Sequence, residues 1–338
     1  MILVTGGTGL LGAHLLYELV ADGHAIRATY RDATRIKATE KIFAYYSKTP
    51  KTLIDQIEWV QADILDLPSL SPTFQNITQV YHCAALVSFD PKDDKALLEI
   101  NVKGTENIVN LCIKHGIKKL CFASSIAAIG PSLPGKIATE ENEWSDLSIT
   151  TTYAHSKHLA EMKVWRLSQE GVPVVIVNPG VIIGPGFWRK GSGSFFSFAF
   201  KEPKYYLPGG TGFVSITDVV ASMIQLMASA VNNERFILVS ENLSFKAFSN
   251  TLAKALGKQS PSKELKHWML SLFWRLDWLR VAFSGKRRRL SKVVARQLRT
   301  TEVYDNSKLK NQLDFEYGSL EETIQKCSAL FLEELIRD

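Results

Sequence analysis

The sequence predicts a doubly wound α/β fold, in which a parallel sheet is covered by helices on both faces, with a smaller, mainly helical C-terminal lobe. Short apolar runs alternate with longer segments of helical periodicity in the first half of the chain, a glycine-rich turn directly follows the first run, and the composition changes after about residue 184. Strands that are apolar along their whole length are typical of a parallel sheet buried on both faces.

The predicted elements follow one another along residues 2–178. Strands are expected at residues 2–5, 25–30, 57–62, 79–83, 119–124 and 174–178. Helices are expected at residues 10–21, 93–115 and 153–170. This alternation of strands and helices is the pattern of parallel strands joined by helical crossovers.

The composition is that of a globular protein, with 338 residues, of which 46% are hydrophobic and 22% charged. The four cysteines form no CxxC or metal-ligand pair, so we expect free thiols and no metal site. No secretory signal and no apolar run of about 18 residues is visible, which leads us to expect a cytoplasmic location. The net charge of +6 is too small to indicate nucleic acid as a partner, and none is expected.

The glycine-rich turn reads TGGTGLLG over residues 5–12. Gly6 permits a tight turn, Gly9 lets the backbone approach a pyrophosphate, and Gly12 lets the next helix pack close to the strand. The N-terminus of that helix presents free N–H groups and a positive dipole end to phosphates. The order strand, turn, helix favours a dinucleotide site over an ordinary glycine-rich turn.

This site divides the chain into two expected units. Residues 1–183, joined by part of 213–240, are predicted to form the dinucleotide-binding domain, and residues 184–338 mostly a substrate-binding lobe. Within the lobe, 184–212 predicts long loops and 244–338 predicts helices. Ligands of open α/β sheets bind beyond the carboxyl ends of the strands, so we expect the lobe to close over that edge.

Together with five later motifs, the turn resembles that of the extended short-chain dehydrogenase/reductase family, which belongs to the NAD-dependent epimerase/dehydratase superfamily and has a Rossmann fold. The matching motifs lie in the family's order within residues 1–220, whereas the last 100 residues carry no comparable signature. They are Ala62-Asp63-Ile64, His82-Cys83-Ala84-Ala85, Asn101-Val102-Lys103-Gly104-Thr105, Tyr153-Ala154-His155-Ser156-Lys157 and Asn178-Pro179-Gly180-Val181. Dihydroflavonol 4-reductases and 3β-hydroxysteroid dehydrogenases are the branch with the most similar motifs.

The resemblance implies which residues hold the dinucleotide. They come from the glycine turn, from the end of the second strand, from the motifs that begin at Ala62, His82 and Asn178, and from the motif that begins at Tyr153. The set is Gly6, Thr8, Gly9, Leu10, Leu11, Gly12, Tyr30, Arg31, Arg35, Asp63, Ile64, Ala84, Ala85, Tyr153, Lys157, Pro179, Gly180 and Val181.

The end of the second strand indicates which dinucleotide is bound. An acid there binds the ribose 2′-hydroxyl of NAD, whereas a basic residue pairs with the 2′-phosphate of NADP. The usual acidic position holds Tyr30, followed by Arg31 with Arg35 nearby, so the sequence predicts NADP. The arginines could instead solvate a loop, and Asp32 keeps NAD open as an alternative.

Tyr153 and Lys157 are four residues apart, so they share one face of a helix. A phenol is a poor proton donor and acceptor at neutral pH, and we expect the nearby ammonium of Lys157, together with the charge of the oxidised nicotinamide, to lower its pKa. Tyr153 would then exchange a proton with the substrate oxygen. Lys157 would also bind the nicotinamide ribose.

Two further groups complete the predicted catalytic set. Counting back from Gly130, which matches the family's closing glycine, places Ser125 as the catalytic serine and Ser124 in a supporting position. The Ser125 hydroxyl is expected to bind the substrate oxygen. The resemblance implies that Asn101 anchors a water that relays protons to Lys157.

Two absences narrow the expected reaction. Dehydratases of the family carry Thr-Asp-Glu where this chain has Ser125, Ile126 and Ala127, and epimerases carry an Arg-Asp pair where residues 211–218 read TGFVSITD. The sequence therefore predicts an oxidoreductase that transfers hydride between NAD(P) and a small-molecule carbonyl or secondary alcohol. A nucleotide-sugar epimerase with tightly held NAD remains open, because Arg189 could replace the missing arginine, and so does a non-catalytic dinucleotide sensor.

Aromatic residues crowd the segment that should face the nicotinamide, which predicts a lipophilic or ring-containing substrate. The alternative is that about half of them form the core of the lobe. They are Phe187, Trp188, Phe195, Phe196, Phe198, Phe200, Tyr205 and Tyr206.

Residues 265–299 combine five aromatic residues with the run Lys286-Arg287-Arg288-Arg289. This combination occurs in helices that bind weakly to anionic membrane surfaces. The favoured alternative is that the aromatic residues pack on the lobe and the charges are solvated. The resemblance also implies a homodimer, because the helices at 93–115 and 153–170 often form a dimer interface in this family.

Overall fold

The computed structural model describes residues 1–132, 135–144, 150–288 and 290–337. Arg289 of the predicted basic run lies outside these residues. The strands are β1 Ile2–Thr5, β2 Ile26–Tyr30, β3 Glu58–Gln61, β4 Gln79–His82, β5 Lys119–Ala123, β6 Val174–Pro179, β7 Val181–Ile183, β8 Tyr205–Tyr206, β9 Gly210–Ser215, β10 Glu234–Leu238, β11 Glu241–Ser244 and β12 Lys263–Glu264. The α-helices are α1 Leu10–Ala21, α2 Ile36–Phe43, α3 Pro50–Ile54, α4 Leu67–Leu70, α5 Asp94–Leu97, α6 Gly104–Lys114, α7 Thr152–Gln169, α8 Ser194–Ala199, α9 Ile216–Ala228, α10 Phe245–Ala255, α11 His267–Ser284, α12 Lys292–Gln297, α13 Ser307–Leu313 and α14 Leu320–Arg337.

A seven-stranded sheet in the order β10-β6-β5-β4-β1-β2-β3 forms the centre of the molecule, and all of its strand pairs are parallel. The predicted doubly wound α/β fold is therefore confirmed. The six predicted strands are its members β1 to β6, and β10 adds the seventh at the edge beside β6. The carboxyl ends of these strands define the edge at which a ligand of such a sheet binds.

The structure differs from the sequence-based expectation in two segments. The single helix expected at 93–115 consists of α5, a π-helix at Leu98–Lys103 and α6. Residues 184–212, expected to be loops, include α8, β8 and the start of β9. Both segments carry phenylalanine or leucine side chains that pack on neighbours distant in the sequence, and such tertiary contacts override local preference.

Helices cover both faces of the sheet, so neighbouring strand residues enter different cores. Val4 packs with α1 and α9, whereas Leu3 packs with α6 and α7. Successive side chains of a strand point to opposite faces, and here both faces are apolar and buried. A third apolar cluster joins side chains from β7, β9 and the helices α8, α10 and α14, among them Phe196, Phe213 and Phe331.

Helix α11 differs from these packed elements. Leu270 is its only buried residue, and Trp268, Trp278 and Phe283 are exposed. The expectation that the aromatic residues of 265–299 pack on the lobe is therefore wrong for Trp268 and Phe283, because the face of α11 that carries them is turned away from the molecule. Trp278, although partly exposed, lines a pocket with Pro91 and Lys92. In the described part of the chain, no helix is long and apolar enough to cross a membrane.

A buried lysine joins the sheet to α9. The ammonium of Lys119, at the start of β5, donates hydrogen bonds to the carbonyls of Leu226 (2.7 Å), Ser229 (3.0 Å) and Val231 (2.7 Å). These carbonyls lie at and just beyond the C-terminus of α9, where a helix has unpaired acceptors and a negative dipole end. Burial lowers the pKa of Lys119. The lysine therefore serves as a helix cap supplied by the sheet.

We predict that Lys119→Met destabilises the protein by about 2–4 kcal/mol, because three carbonyls lose a charged donor while the aliphatic part of the side chain is kept. Urea unfolding monitored by circular dichroism measures the change. Lys118→Met, at an exposed neighbouring position, is the control and should change the free energy of unfolding by less than about 0.5 kcal/mol. Equal effects of the two substitutions would contradict the capping role.

Candidate active site

The candidate site lies at the carboxyl ends of β1, β4, β5 and β6. Gly6, directly after β1, has a φ of +75°, and a Cβ added there would lie 2.6 Å from the backbone nitrogen of Ala84, which follows β4. No side chain fits this approach of two backbone segments. The predicted positions Ala84 and Ala85 are thereby held beside the glycine turn.

The N-terminus of α1 continues this turn. Gly9 precedes the helix without a side-chain capping bond, and the first turn of α1 contains no acidic residue. The helix therefore begins with N–H groups that no capping side chain satisfies and with an uncancelled positive dipole end. Thr8 is buried, and Leu10 and Leu11 are half-buried. This set of donors fits a pyrophosphate.

The predicted ribose-binding residues follow β2 and β3. A guanidinium nitrogen of Arg31 lies 3.9 Å from a carboxylate oxygen of Asp63, and both side chains are partly exposed. One carboxylate oxygen of Asp32 accepts bonds from both the backbone N–H (2.9 Å) and the hydroxyl (2.7 Å) of Thr34. Arg35 is exposed.

Other predicted contact residues have structural partners. The carbonyl of Ile64 accepts a bond from the Asn107 amide (2.8 Å). Pro179 is buried at the end of β6, and Val181 begins β7. Between them, a Cβ added to Gly180 would lie 2.4 Å from the carbonyl oxygen of Gly212, so only glycine fits there.

Tyr153 lies in the first turn of α7. Burial raises the pKa of Tyr153, and the nearby side chain of Ser125 opposes that rise. In the protein alone, burial of the phenol is the larger effect, and the lowering of this pKa by Lys157 together with the oxidised nicotinamide stays a prediction. Tyr153 is a neutral phenol at pH 7, the form that can donate a proton.

The ammonium of Lys157 is buried one helical turn after Tyr153. It donates to the carbonyl of Ala123 (2.7 Å) and lies 4.4 Å from the centre of the Phe122 ring. Burial lowers the pKa of Lys157 to about 8, and the carboxylate of Glu161 opposes this shift. The ammonium is thus retained at neutral pH by a backbone acceptor, an aromatic face and a nearby acid.

Glu161 was missed in the sequence analysis, although it continues the four-residue spacing of Tyr153 and Lys157 on α7. Its side chain is fully buried, accepts a bond from the Asn178 amide (2.6 Å) and pairs with Arg235 (3.3 Å). Burial raises its pKa, which these partners oppose. The spacing alone could have identified the residue, but not its ionic partner on β10.

The two serines after β5 have different surroundings. The hydroxyl of Ser124 is buried and donates to Glu161, so it belongs to the network behind Lys157. The hydroxyl of Ser125 accepts a bond from the Ala127 N–H (3.1 Å) and contacts Tyr153. Of the two, Ser125 lies beside the phenol.

Asn101 lies in the π-helix Leu98–Lys103 and is buried. Its amide group donates to the Leu86 carbonyl (3.0 Å) and the Ser156 hydroxyl (2.9 Å), and its oxygen accepts from the Leu86 N–H (2.8 Å). Ser156 in turn donates to the carbonyl of Tyr153 (2.7 Å). Asn101 therefore connects the segment after β4 with the first turn of α7.

The predicted aromatic segment is divided between two locations. Trp188 and Phe196 are buried in the core of the lobe, where Phe200 packs beside Phe331. A second group lines an apolar cavity of about 90 Å³ between α8 and α10, and no catalytic candidate takes part in that lining. The members of this group are Phe195, Phe198, Tyr205 and Tyr206. The aromatic ring that packs on Tyr153 is that of Phe89, which lies outside the predicted segment and whose centre is 5.6 Å from that of Tyr153.

Comparisons with known proteins identify the family to which the chain belongs. A sequence model of the NAD dependent epimerase/dehydratase family matches residues 2–238, so the chain belongs to this family. The chain is 29% identical to a putative dihydroflavonol 4-reductase of Synechocystis over 80% of this chain and 77% of that protein, and 28% identical to sterol demethylase protein B of Methylococcus capsulatus over 77% and 75%. Family and relatives indicate an NAD(P)-dependent enzyme of the reductase, dehydratase and epimerase group.

Solved structures show the same fold. A UDP-glucose 4-epimerase of Thermotoga maritima, solved with UDP-glucose, is similar with a TM-score of 0.77 at 19% identity over 99% of both chains. The terminal R domain of the myxalamid biosynthetic pathway is similar with a TM-score of 0.79 at 20% identity, over 99% of this chain and 91% of that one. The fold is therefore shared along the whole chain, including the lobe that carries no sequence signature.

We predict that Glu161→Gln lowers the pKa of Lys157 further, because the carboxylate that favours the ammonium becomes a neutral amide of the same shape. With Lys157 titrating at about 8, a reaction that needs the ammonium declines above that pH in the native protein and at lower pH in the variant. The alkaline limb of kcat/KM measures this. Glu170→Gln, at the exposed end of α7, is the control. An unmoved limb in Glu161→Gln would show that the acid does not influence the lysine.

Proposed function

We propose that this protein is an NADP-dependent reductase that converts a carbonyl group of a lipophilic compound into an alcohol. The observation that carries the proposal is the phenol of Tyr153 with the side chain of Ser125 beside it and the buried ammonium of Lys157 one helical turn later. A neutral phenol is prepared to donate a proton, which is the requirement of carbonyl reduction rather than alcohol oxidation.

In this proposal the chain's own residues bind the substrate oxygen and supply its proton. The hydroxyls of Ser125 and Tyr153 would both donate to the carbonyl oxygen as negative charge develops on it. Tyr153 would then transfer its proton, and the ammonium of Lys157 would stabilise the phenolate that remains. The reduced nicotinamide, when bound, supplies the hydride.

The cofactor would be held by the groups at the carboxyl edge of the sheet. The glycine turn and the N-terminus of α1 would bind the pyrophosphate. Arg31 would pair with the ribose 2′-phosphate, and this basic residue directly after β2 supports NADP.

Two features support a lipophilic carbonyl compound over a sugar nucleotide. The exposed side chains of Val87 and Phe89 lie on the segment beside Tyr153, and apolar groups at that position would attract an apolar substrate. Ile126 and Ala127 stand where dehydratases of the family carry acids, so the elimination of water has no acid–base pair there.

The central test is the reduction of a panel of ketones and aldehydes with NADPH, followed by nicotinamide absorbance. We predict that Tyr153→Phe lowers kcat by at least about a hundredfold without a loss of NADPH binding, since only the proton donor is removed. Near-native turnover of this variant would exclude the mechanism. Purified protein that retains tightly bound NAD and does not exchange it would favour the epimerase alternative.

The two serines provide a matched pair within the same assay. Ser125→Ala should lower kcat and kcat/KM by about 10²-fold, because its hydroxyl would act on the developing oxyanion. Ser124→Ala should lower the free energy of unfolding by about 1–3 kcal/mol, because buried Glu161 loses a donor, while kcat changes only a few-fold. If Ser124→Ala were the more damaging to kcat, the catalytic serine would be Ser124.

We predict that Arg31→Ala weakens NADPH binding by roughly 10- to 100-fold, the equivalent of a charge-assisted bond worth about 1.5–3 kcal/mol. NADH binding should change little, because NADH lacks the 2′-phosphate. Dissociation constants from fluorescence titration measure both effects, and Lys41→Ala, exposed on α2, is the control. Native protein that binds NADH as tightly as NADPH would contradict the proposed preference.

A further inference from the structure

Helix α11 exposes a continuous apolar stripe. Its members are separated by four, four, three and four residues, a spacing that places them on one face of the helix. The exposed fraction is 62% for Trp268, 44% for Leu272, 49% for Leu276, 43% for Leu279 and 89% for Phe283. Soluble proteins rarely expose a contiguous group of large apolar side chains to water. The stripe therefore indicates a surface that another molecule covers when the protein functions.

The opposite face of α11 attaches the helix to the molecule. Leu270 is buried, and the Arg299 guanidinium donates to the Ser271 hydroxyl (2.6 Å). Beyond its C-terminus, the Lys92 ammonium donates to the Gly285 carbonyl (2.6 Å), and Arg287 pairs with Asp93 (2.7 Å). The helix is therefore a fixed part of the surface whose apolar stripe faces outward.

The charge around the stripe indicates what covers it. The segment 263–299 contains eleven lysines and arginines but only two acidic residues. The net positive charge of this segment is therefore greater than the net charge of +6 of the whole chain. Lys286, Lys292 and Arg296 are exposed. A second copy of this face would bring these like charges together, whereas a negatively charged partner gains from each of them.

Apolar and basic features are combined on this one surface. A nucleic acid would pair with the cations but leave five large apolar side chains without partners. An anionic bilayer accepts both, because its headgroups attract lysine and arginine while the boundary of its acyl region accepts tryptophan, leucine and phenylalanine. We propose that α11 docks the protein on the surface of an anionic lipid bilayer and lies in the plane of its headgroups.

This docking goes beyond the proposed reductase activity and does not depend on it. It does place the candidate site near the bilayer. Asp90 accepts a bond from the backbone N–H of Arg288, and Asp93 pairs with the side chain of Arg287. Phe89 directly precedes Asp90 in the chain, and its ring packs on Tyr153.

The test is flotation of the full-length protein with phosphatidylcholine vesicles that contain or lack phosphatidylglycerol. We expect binding to the anionic vesicles only, weakened by high salt. The double substitution Leu276→Ser and Phe283→Ser should reduce this binding by at least about tenfold. The double substitution Lys286→Glu and Lys292→Glu should abolish the preference for anionic vesicles.

Ile336→Ser is the matched control, because Ile336 is 86% exposed, like Phe283, but lies on α14 outside the stripe. It should bind vesicles as the native protein does. Circular dichroism and the thermal unfolding midpoint must match among all variants. A second readout is the blue shift of tryptophan emission on binding, which Trp268→Phe should diminish.

Two results would overturn the proposal. One is native protein that does not float with anionic vesicles. The other is a stripe variant that floats as well as the native protein. If size-exclusion chromatography instead showed a native dimer that the stripe substitutions convert into a monomer, without vesicle binding, the stripe would be an interface between two copies. Retention of vesicle binding by a Tyr153→Phe variant would separate docking from the proposed chemistry.

Discussion

The burial of one ammonium group, that of Lys157, is the constraint on which the candidate site depends. Removing a charge from water costs several kcal/mol unless nearby groups replace its hydration. The carbonyl of Ala123 and the carboxylate of Glu161 provide that replacement. Glu161 is itself buried and is satisfied by Asn178 and Arg235. These groups come from α7, β5, β6 and β10, so the charge is compensated only when that half of the sheet is assembled.

Much of this arrangement can be predicted from the sequence where its signals are local. The turn from β1 to α1 depends on residues within eight positions, and the Tyr153–Lys157 pair on a spacing of four. The ionic partner of Glu161 could not be predicted, because Arg235 is 74 positions away on an edge strand. The π-helix at Leu98–Lys103 could not be predicted from the sequence for another reason. One widened turn leaves the apolar periodicity of a long helix nearly unchanged.

The aromatic residues show the limit of reasoning from composition. Trp188 follows a glycine-rich turn and is buried in an apolar core, whereas Trp268 lies in a strongly apolar segment and is exposed on α11. Helix α11 is apolar around most of its circumference, and such a helix has no preferred buried face in its sequence. Tertiary contacts, among them those of Leu270 and Arg299, decide which side faces outward.

The position of β10 at the sheet edge determines when the sheet is completed during synthesis. Its five residues pair with β6, which ends at Pro179, although β10 itself ends only at Leu238. The N-terminal part of a chain leaves the ribosome first, at about 5–20 residues per second, so β6 is exposed for roughly 3–12 s before its partner arrives. During that interval β6 is an apolar edge strand without a neighbour on one side, open to pairing with another nascent chain.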